Sequence, residues 1–130
     1  MSANWILHSL IVGAGGFVGS VLRFGVGGLT FRLFPAAPLP YGTLVVNVVG
    51  CFAIGILGGI GDARQLATSE IHLFLFIGLL GGFTTFSAFG YETLALMRAG
   101  ELLWAVLNVV FQIVLGLSAV WFGYSVGNQS

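Results

Sequence analysis

Eight charged residues punctuate the chain, and the stretches between them are apolar. The charges are Arg23, Arg32, Asp62, Arg64, Glu70, Glu92, Arg98 and Glu101. Residues 1–22, 33–61, 71–91 and 102–130 carry none. About 20 mostly apolar residues suffice for a helix to cross the hydrocarbon core. Helices also satisfy every backbone polar group within the lipid. The pattern predicts an all-α integral membrane protein, with one domain over residues 1–130. Its four transmembrane helices are expected near residues 5–34, 41–61, 71–98 and 102–124, with Arg23 inside the first. All three prolines fall at 35–40 and mark the first loop. Residues 62–69 form the second loop, where Thr68 or Ser69 is placed to cap the third helix. A short third loop centres on Ala99 and Gly100. No Lys or Arg precedes the first apolar run, which therefore reads as the start of helix one rather than a signal peptide.

Composition narrows the function. Of 130 residues, 58% are hydrophobic and 6% charged, with a mean hydropathy of +1.07. Soluble domains carry about a quarter charged residues, so a soluble enzyme is excluded. Four Arg, no Lys and four acids leave no basic patch for nucleic acid. The single cysteine, Cys51, closes no intrachain disulfide and reads as a small buried hydrophobe. Four spans place Arg64 on one side of the membrane and Arg32 and Arg98 on the other. Such a bias gives the positive-inside rule little to act on. Insertion in both orientations, and with it an antiparallel homodimer, stands beside a single weakly favoured topology.

Much of the glycine, 21 residues in all, lies inside the spans. Gly15/Gly19, Gly55/Gly59, Gly78/Gly82 and Gly123/Gly127 are each four apart, a spacing that lets helix backbones approach closely. The same stripes serve packing within one subunit or a dimer built on glycine faces.

The third span carries the most unusual segment, Gly81-Gly82-Phe83-Thr84-Thr85-Phe86-Ser87-Ala88-Phe89-Gly90-Tyr91-Glu92. Paired glycines followed by paired threonines are poor helix formers. A break there would free carbonyls at mid-membrane depth, where protein or an ion must satisfy them. An unbroken helix, with the Thr hydroxyls bonded back one turn, reads the same residues differently. Phe86 and Phe89 share a helical face, and the positive edge of a phenyl ring attracts anions. Thr85 and Ser87 add hydroxyls. Asn47 lies within the second span, and Asn108 and Gln112 share a face of the fourth. Such amides serve as interhelical glue or as a polar track for a permeating species.

These residues resemble the signatures of the Fluc (CrcB) fluoride channels. The resemblance rests on Gly81 to Glu92, on Gly16-x-x-Gly19-x-x-x-Arg23 and on Gly42-Thr43-Leu44-Val45-Val46-Asn47, and it covers essentially the whole chain. It implies an antiparallel dual-topology homodimer, in a bacterial plasma membrane, that passively exports fluoride through two pores and relieves fluoride toxicity. It also implies a structural sodium ion at the dimer centre, held by backbone carbonyls of Gly81 and Thr84 at a mid-membrane break in helix three. By the same resemblance Phe86 and Phe89 form a phenylalanine box. Asn47 lines the pore with Thr85, Ser87, Asn108 and Gln112. Arg23 lies near the vestibule, and Glu92 ends the helix-three polar face. Many relatives have Thr at Ala88 and Ser at Gly90, and some have Ser at Gly116, so this chain has fewer track hydroxyls.

Other readings remain open. A dual-topology proton-coupled exporter of cationic compounds has the same size and span number, and needs an embedded carboxylate; Glu92 is the deepest acid. A membrane scaffold would use the polar residues only as glue. Arg23 has a snorkelling alternative. His8 and His72 read as interfacial polar residues. Trp5, Trp104, Trp121, Tyr41 and Tyr124 fit interfacial belts.

Overall fold

The computed structural model describes residues 3–65 and 68–130. Positions 66 and 67, inside the expected second loop, and 1 and 2, ahead of the first span, lie outside the described residues. All the regular structure among the described residues is helical. In chain order it comprises α1 (Ala3–Leu33), α2 (Tyr41–Arg64), α3 (Ser69–His72), a π-helical segment (Leu73–Leu80), α4 (Gly81–Phe83), α5 (Phe86–Arg98) and α6 (Leu102–Asn128). Four stretches are long and apolar enough to cross a membrane: Asn4–Leu33, Tyr41–Arg64, Ser69–Arg98 and Leu102–Asn128.

Local chemistry sets the ends. Thr68 accepts a hydrogen bond from the Ile71 N–H (3.3 Å) and caps α3. After α5, Gly100 takes φ +79°, and the Glu101 N–H reaches back to the Leu96 carbonyl (2.9 Å). This left-handed glycine turn brings the chain directly into α6. The end of α2 departs from the charge pattern. The helix continues past Gly61 through Asp62 and Arg64, and Gln65 closes it with φ +52°. Contacts with α6 and with the residues just after it hold this extra turn. The Tyr124 hydroxyl donates to Asp62 Oδ2 (2.8 Å), and Arg64 Nη2 donates to the Ser130 carbonyl (2.6 Å). Sequence marks these residues as loop because they are charged; a tertiary partner keeps them helical.

The four glycine pairs are all used in packing within the single chain. A methyl group on Gly55 or Gly59 would strike the α6 backbone at Val120 or Tyr124, and one on Gly123 or Gly127 would strike α2 at Phe52 or Ile56. The α2–α6 contact is the most extensive in the molecule. Gly15 and Gly19 likewise lie against the backbone at Phe74 and Leu79, while Gly78 and Gly82 lie against α1 at Val12 and Gly16. Close backbone approach therefore joins α2 to α6 and α1 to the segment leading into α4. Of the two uses of the stripes, this is packing within the subunit.

Candidate functional site

Helix gives way at two residues. Thr84 (φ −86°, ψ 159°) and Thr85 (φ −152°, ψ 118°) are extended, between α4 and α5. Each threonine completes one helix end. Thr84 donates its hydroxyl back to the Leu80 carbonyl (2.8 Å). Thr85 accepts from the Ala88 N–H (3.2 Å) as the N-cap of α5. In a continuous helix the Thr85 N–H would bond the Gly81 carbonyl. Here it donates to Asn47 Oδ1 (2.8 Å) instead.

Asn47 reads both polar groups of the Thr85 backbone. Its Nδ2 donates to the Thr85 carbonyl (3.0 Å) and to Gln112 Oε1 (3.0 Å). One amide on α2 thus ties the extended segment to α6. Gln112 Nε2 is buried and makes no hydrogen bond. Two further links flank this seam. The Thr43 hydroxyl donates to Glu92 Oε1 (2.8 Å), leaving Oε2 buried and unpaired. Asn108, 0% exposed, donates to Thr93 Oγ1 (2.9 Å), and the Thr93 hydroxyl donates to the Phe89 carbonyl (2.7 Å). Asn108 Oδ1 has no partner.

Two cavities adjoin the seam. The larger, about 570 Å³, opens between α1, the proline loop, α2 and α5, with Arg23, Thr43, Thr85 and Glu92 in its wall. Arg23 Nε donates to the Gly82 carbonyl (3.1 Å), at the end of α4 where helix-end carbonyls attract a cation. Among the described residues no ion pair joins Arg23 to Glu92. The smaller cavity, about 370 Å³, is walled in part by Asn47, Cys51, Gly81, Thr84, Phe86 and Gln112.

The structure thus brings Asn47, Thr85 and Gln112 into direct contact and places Gly81, Thr84 and Phe86 around the same cavity. Phe86 and Phe89 pair with centroids 5.4 Å apart and planes tilted by 59°. Phe86 is 82% exposed on the single chain, whereas Phe89 is half-buried. Ser87 is exposed, with its hydroxyl 3.3 Å from that of Thr85. Glu92 and Asn108 stand apart from the Asn47 cluster, each with its own threonine. Thr43 entered the sequence reading only as part of the Gly42–Asn47 motif, with no role of its own, and Thr93 did not enter it. Their hydroxyls inside the second and third spans were the available signal.

The fold and this seam define a small multi-pass membrane protein whose interior holds uncharged polar side chains around an interrupted helix. Residues 10–124 match the family model described as CrcB-like protein, Camphor Resistance (CrcB). The chain is 42% identical over 115 residues, 88% of its length and 90% of the relative's, to a fluoride-specific ion channel FluC from Methylobacillus flagellatus. It is 45% identical over 118 residues, 91% and 94% of the two chains, to the protein of that name from Allorhizobium ampelinum. With the one from Clostridium novyi it shares 38% identity over 122 residues, 94% of each. The chain belongs to the CrcB family.

Proposed function

We propose that this protein is a fluoride-selective passive channel, not an enzyme, which exports fluoride across the plasma membrane and so limits fluoride toxicity. The observation that carries this reading is the match along nearly the whole chain to relatives named fluoride-specific ion channels. The geometry supports it in kind. Fluoride is small and strongly hydrated, so a pore must offer close donors in place of water. Hydroxyls, carboxamides and phenyl edges supply these without a formal charge that would trap the ion.

The working unit in this reading is an antiparallel dual-topology homodimer with two pores. In this reading Phe86, 82% exposed on the single chain, is a pore-lining ring that a second copy encloses. A sodium ion at the dimer centre fits the donor chemistry. The Gly81 carbonyl has lost its helical donor to Asn47, and Thr84 is extended beside it. Carbonyls from two copies would hold the ion and supply fixed positive charge near the break. Arg23, in the wall of the larger cavity, raises anion concentration at the pore mouth.

Reconstitution in liposomes, with fluoride and chloride efflux followed by ion-selective electrodes, tests the proposal. Fast fluoride release with negligible chloride release is expected. Folded protein that releases no fluoride would overturn it.

A further inference from the structure

We infer that Arg23 is a positioning residue that keeps the third span interrupted, because its Nε–H partners the Gly82 carbonyl in place of the Phe86 N–H. The inference rests on the fluoride-channel reading for its flux measurement alone.

A helix running through the interruption needs two bonds: the Thr85 N–H on the Gly81 carbonyl, and the Phe86 N–H on the Gly82 carbonyl. The bond before these is intact, from the Thr84 N–H to the Leu80 carbonyl (3.0 Å). A side chain from another helix then intervenes in each of the next two. From α2, Asn47 Oδ1 takes the Thr85 N–H (2.8 Å). From α1, Arg23 Nε takes the Gly82 carbonyl (3.1 Å). One replaces an acceptor and the other a donor, so the helix has little left to gain by closing. Phe86 opens α5, and the same two bonds therefore set where the Phe86–Phe89 ring pair points.

Helix α1 is built to deliver Arg23 to this place. Gly16, Gly19 and Arg23 follow one another at three and four residues, along one helix face. A methyl group on Gly19 would strike the backbone at Leu79 and Phe83, and one on Gly82 would strike Gly16. With the backbones this close, the side chain one turn beyond Gly19 reaches the last carbonyls of α4. A carbonyl without a partner is costly at membrane depth, and the carbonyl end of a helix attracts a cation. An arginine inside a span needs a partner in turn. The charge-assisted bond meets both needs.

The atom used separates this role from that of a positive field at the cavity mouth. Glutamine places its amide nitrogen where arginine has Nε, and carries no charge. Lysine places a methylene there and carries its charge one atom further on. Methionine supplies neither donor nor charge. Arg23→Gln thus keeps the bond and loses the field, and Arg23→Lys does the reverse.

Two measurements on the full chain use this difference. The first follows the Cα and Cβ shifts of Thr84 and Thr85 in protein labelled with 13C-threonine, each assigned by its loss in the Thr→Ser variant. Extended shifts are expected in wild type, where both residues are extended, and in Arg23→Gln. Arg23→Lys and Arg23→Met should move toward helical values. Extended shifts in all three variants would overturn the inference. The second is fluoride efflux from liposomes. Arg23→Gln should exceed Arg23→Lys and Arg23→Met by about tenfold or more, the effect of one charge-assisted hydrogen bond. Arg23→Lys conducting as well as Arg23→Gln, or better, would assign Arg23 to the field alone.

Should the variants not fold, wild-type protein labelled with 15N-arginine decides. The Arg23 Nε–H, assigned by Lys substitution of the exposed Arg32, Arg64 and Arg98, is expected to exchange slowly with water. Exchange as fast as that of Arg32 and Arg98 would sink the inference. A wild-type chain that conducts no fluoride refutes the channel reading, and the threonine shifts and arginine exchange then still judge the role of Arg23.

Discussion

The contact between α2 and α6 is made in two ways along its length. Toward the ends of the two helices, Gly55 and Gly59 lie against Val120 and Tyr124, and Gly123 and Gly127 lie against Phe52 and Ile56, backbone on backbone. Toward their beginnings, Asn47 meets Gln112 through side-chain amides and takes in Thr85 from the interrupted helix. The glycine half has no freedom: a methyl group already overlaps main chain. The polar half retains unpaired capacity at Gln112 and nearby at Asn108 and Glu92. One half fixes the helices in register. The other, held by that register, keeps hydrogen-bonding capacity unspent.

Breaking the glycine half should have the largest effect. Gly127→Val places branched carbons against the Ile56 backbone, where overpacking costs about 1–3 kcal/mol or more. Size-exclusion chromatography in detergent is expected to show loss of folded protein. Gly13→Ala, with nothing within 4 Å of its added methyl, should behave as wild type. A well-folded Gly127→Val would show that the α2–α6 register tolerates separation.

Next comes sodium removal. Exchange of sodium for a large organic cation on both sides should strip most fluoride efflux from liposomes; full efflux in thoroughly sodium-free vesicles would count against the carbonyl site at Gly81 and Thr84.

Thr93→Val tests the polar half without touching Asn47. It leaves fully buried Asn108 without its one partner, a loss of about 1–3 kcal/mol. Thermal unfolding should show a lowered midpoint, and an unchanged midpoint would mean that the Thr93 link carries no stability.

Phe86→Ile or Phe89→Ile removes a ring edge worth about 1.4 kcal/mol, so fluoride efflux should fall about tenfold with the protein still folded. Normal efflux from both variants removes the ring pair from conduction.

Glu92→Gln is expected to do least. It keeps an acceptor for the Thr43 hydroxyl, and fluoride efflux should fall by less than about tenfold. A proton-coupled exporter built on that carboxylate would instead lose its transport completely.

Four spans long and apolar enough to cross a membrane were legible in the chain itself, whereas the residues at Gly81 to Thr85 suited a broken or an unbroken helix equally. Lipid imposes constraints that sequence records directly. A span must be long and mostly apolar. Helix ends were readable where local residues set them, as at Thr68 and Gly100. The end of α2 was not, because Asp62 and Arg64 stay helical through partners more than 60 positions away. The π-helical turns at Leu73–Leu80 left no mark in an apolar run that suits either helix.

Residue type also marked Asn47 and Gln112 as polar groups of interest, with two protons and a carbonyl apiece. Only the tertiary structure decided which atoms were already used. A carboxamide's orientation is set by the groups facing it, and the Thr85 backbone comes to Asn47 across 38 positions of chain. Composition fixes how many donors a protein has; folding decides which of them remain free.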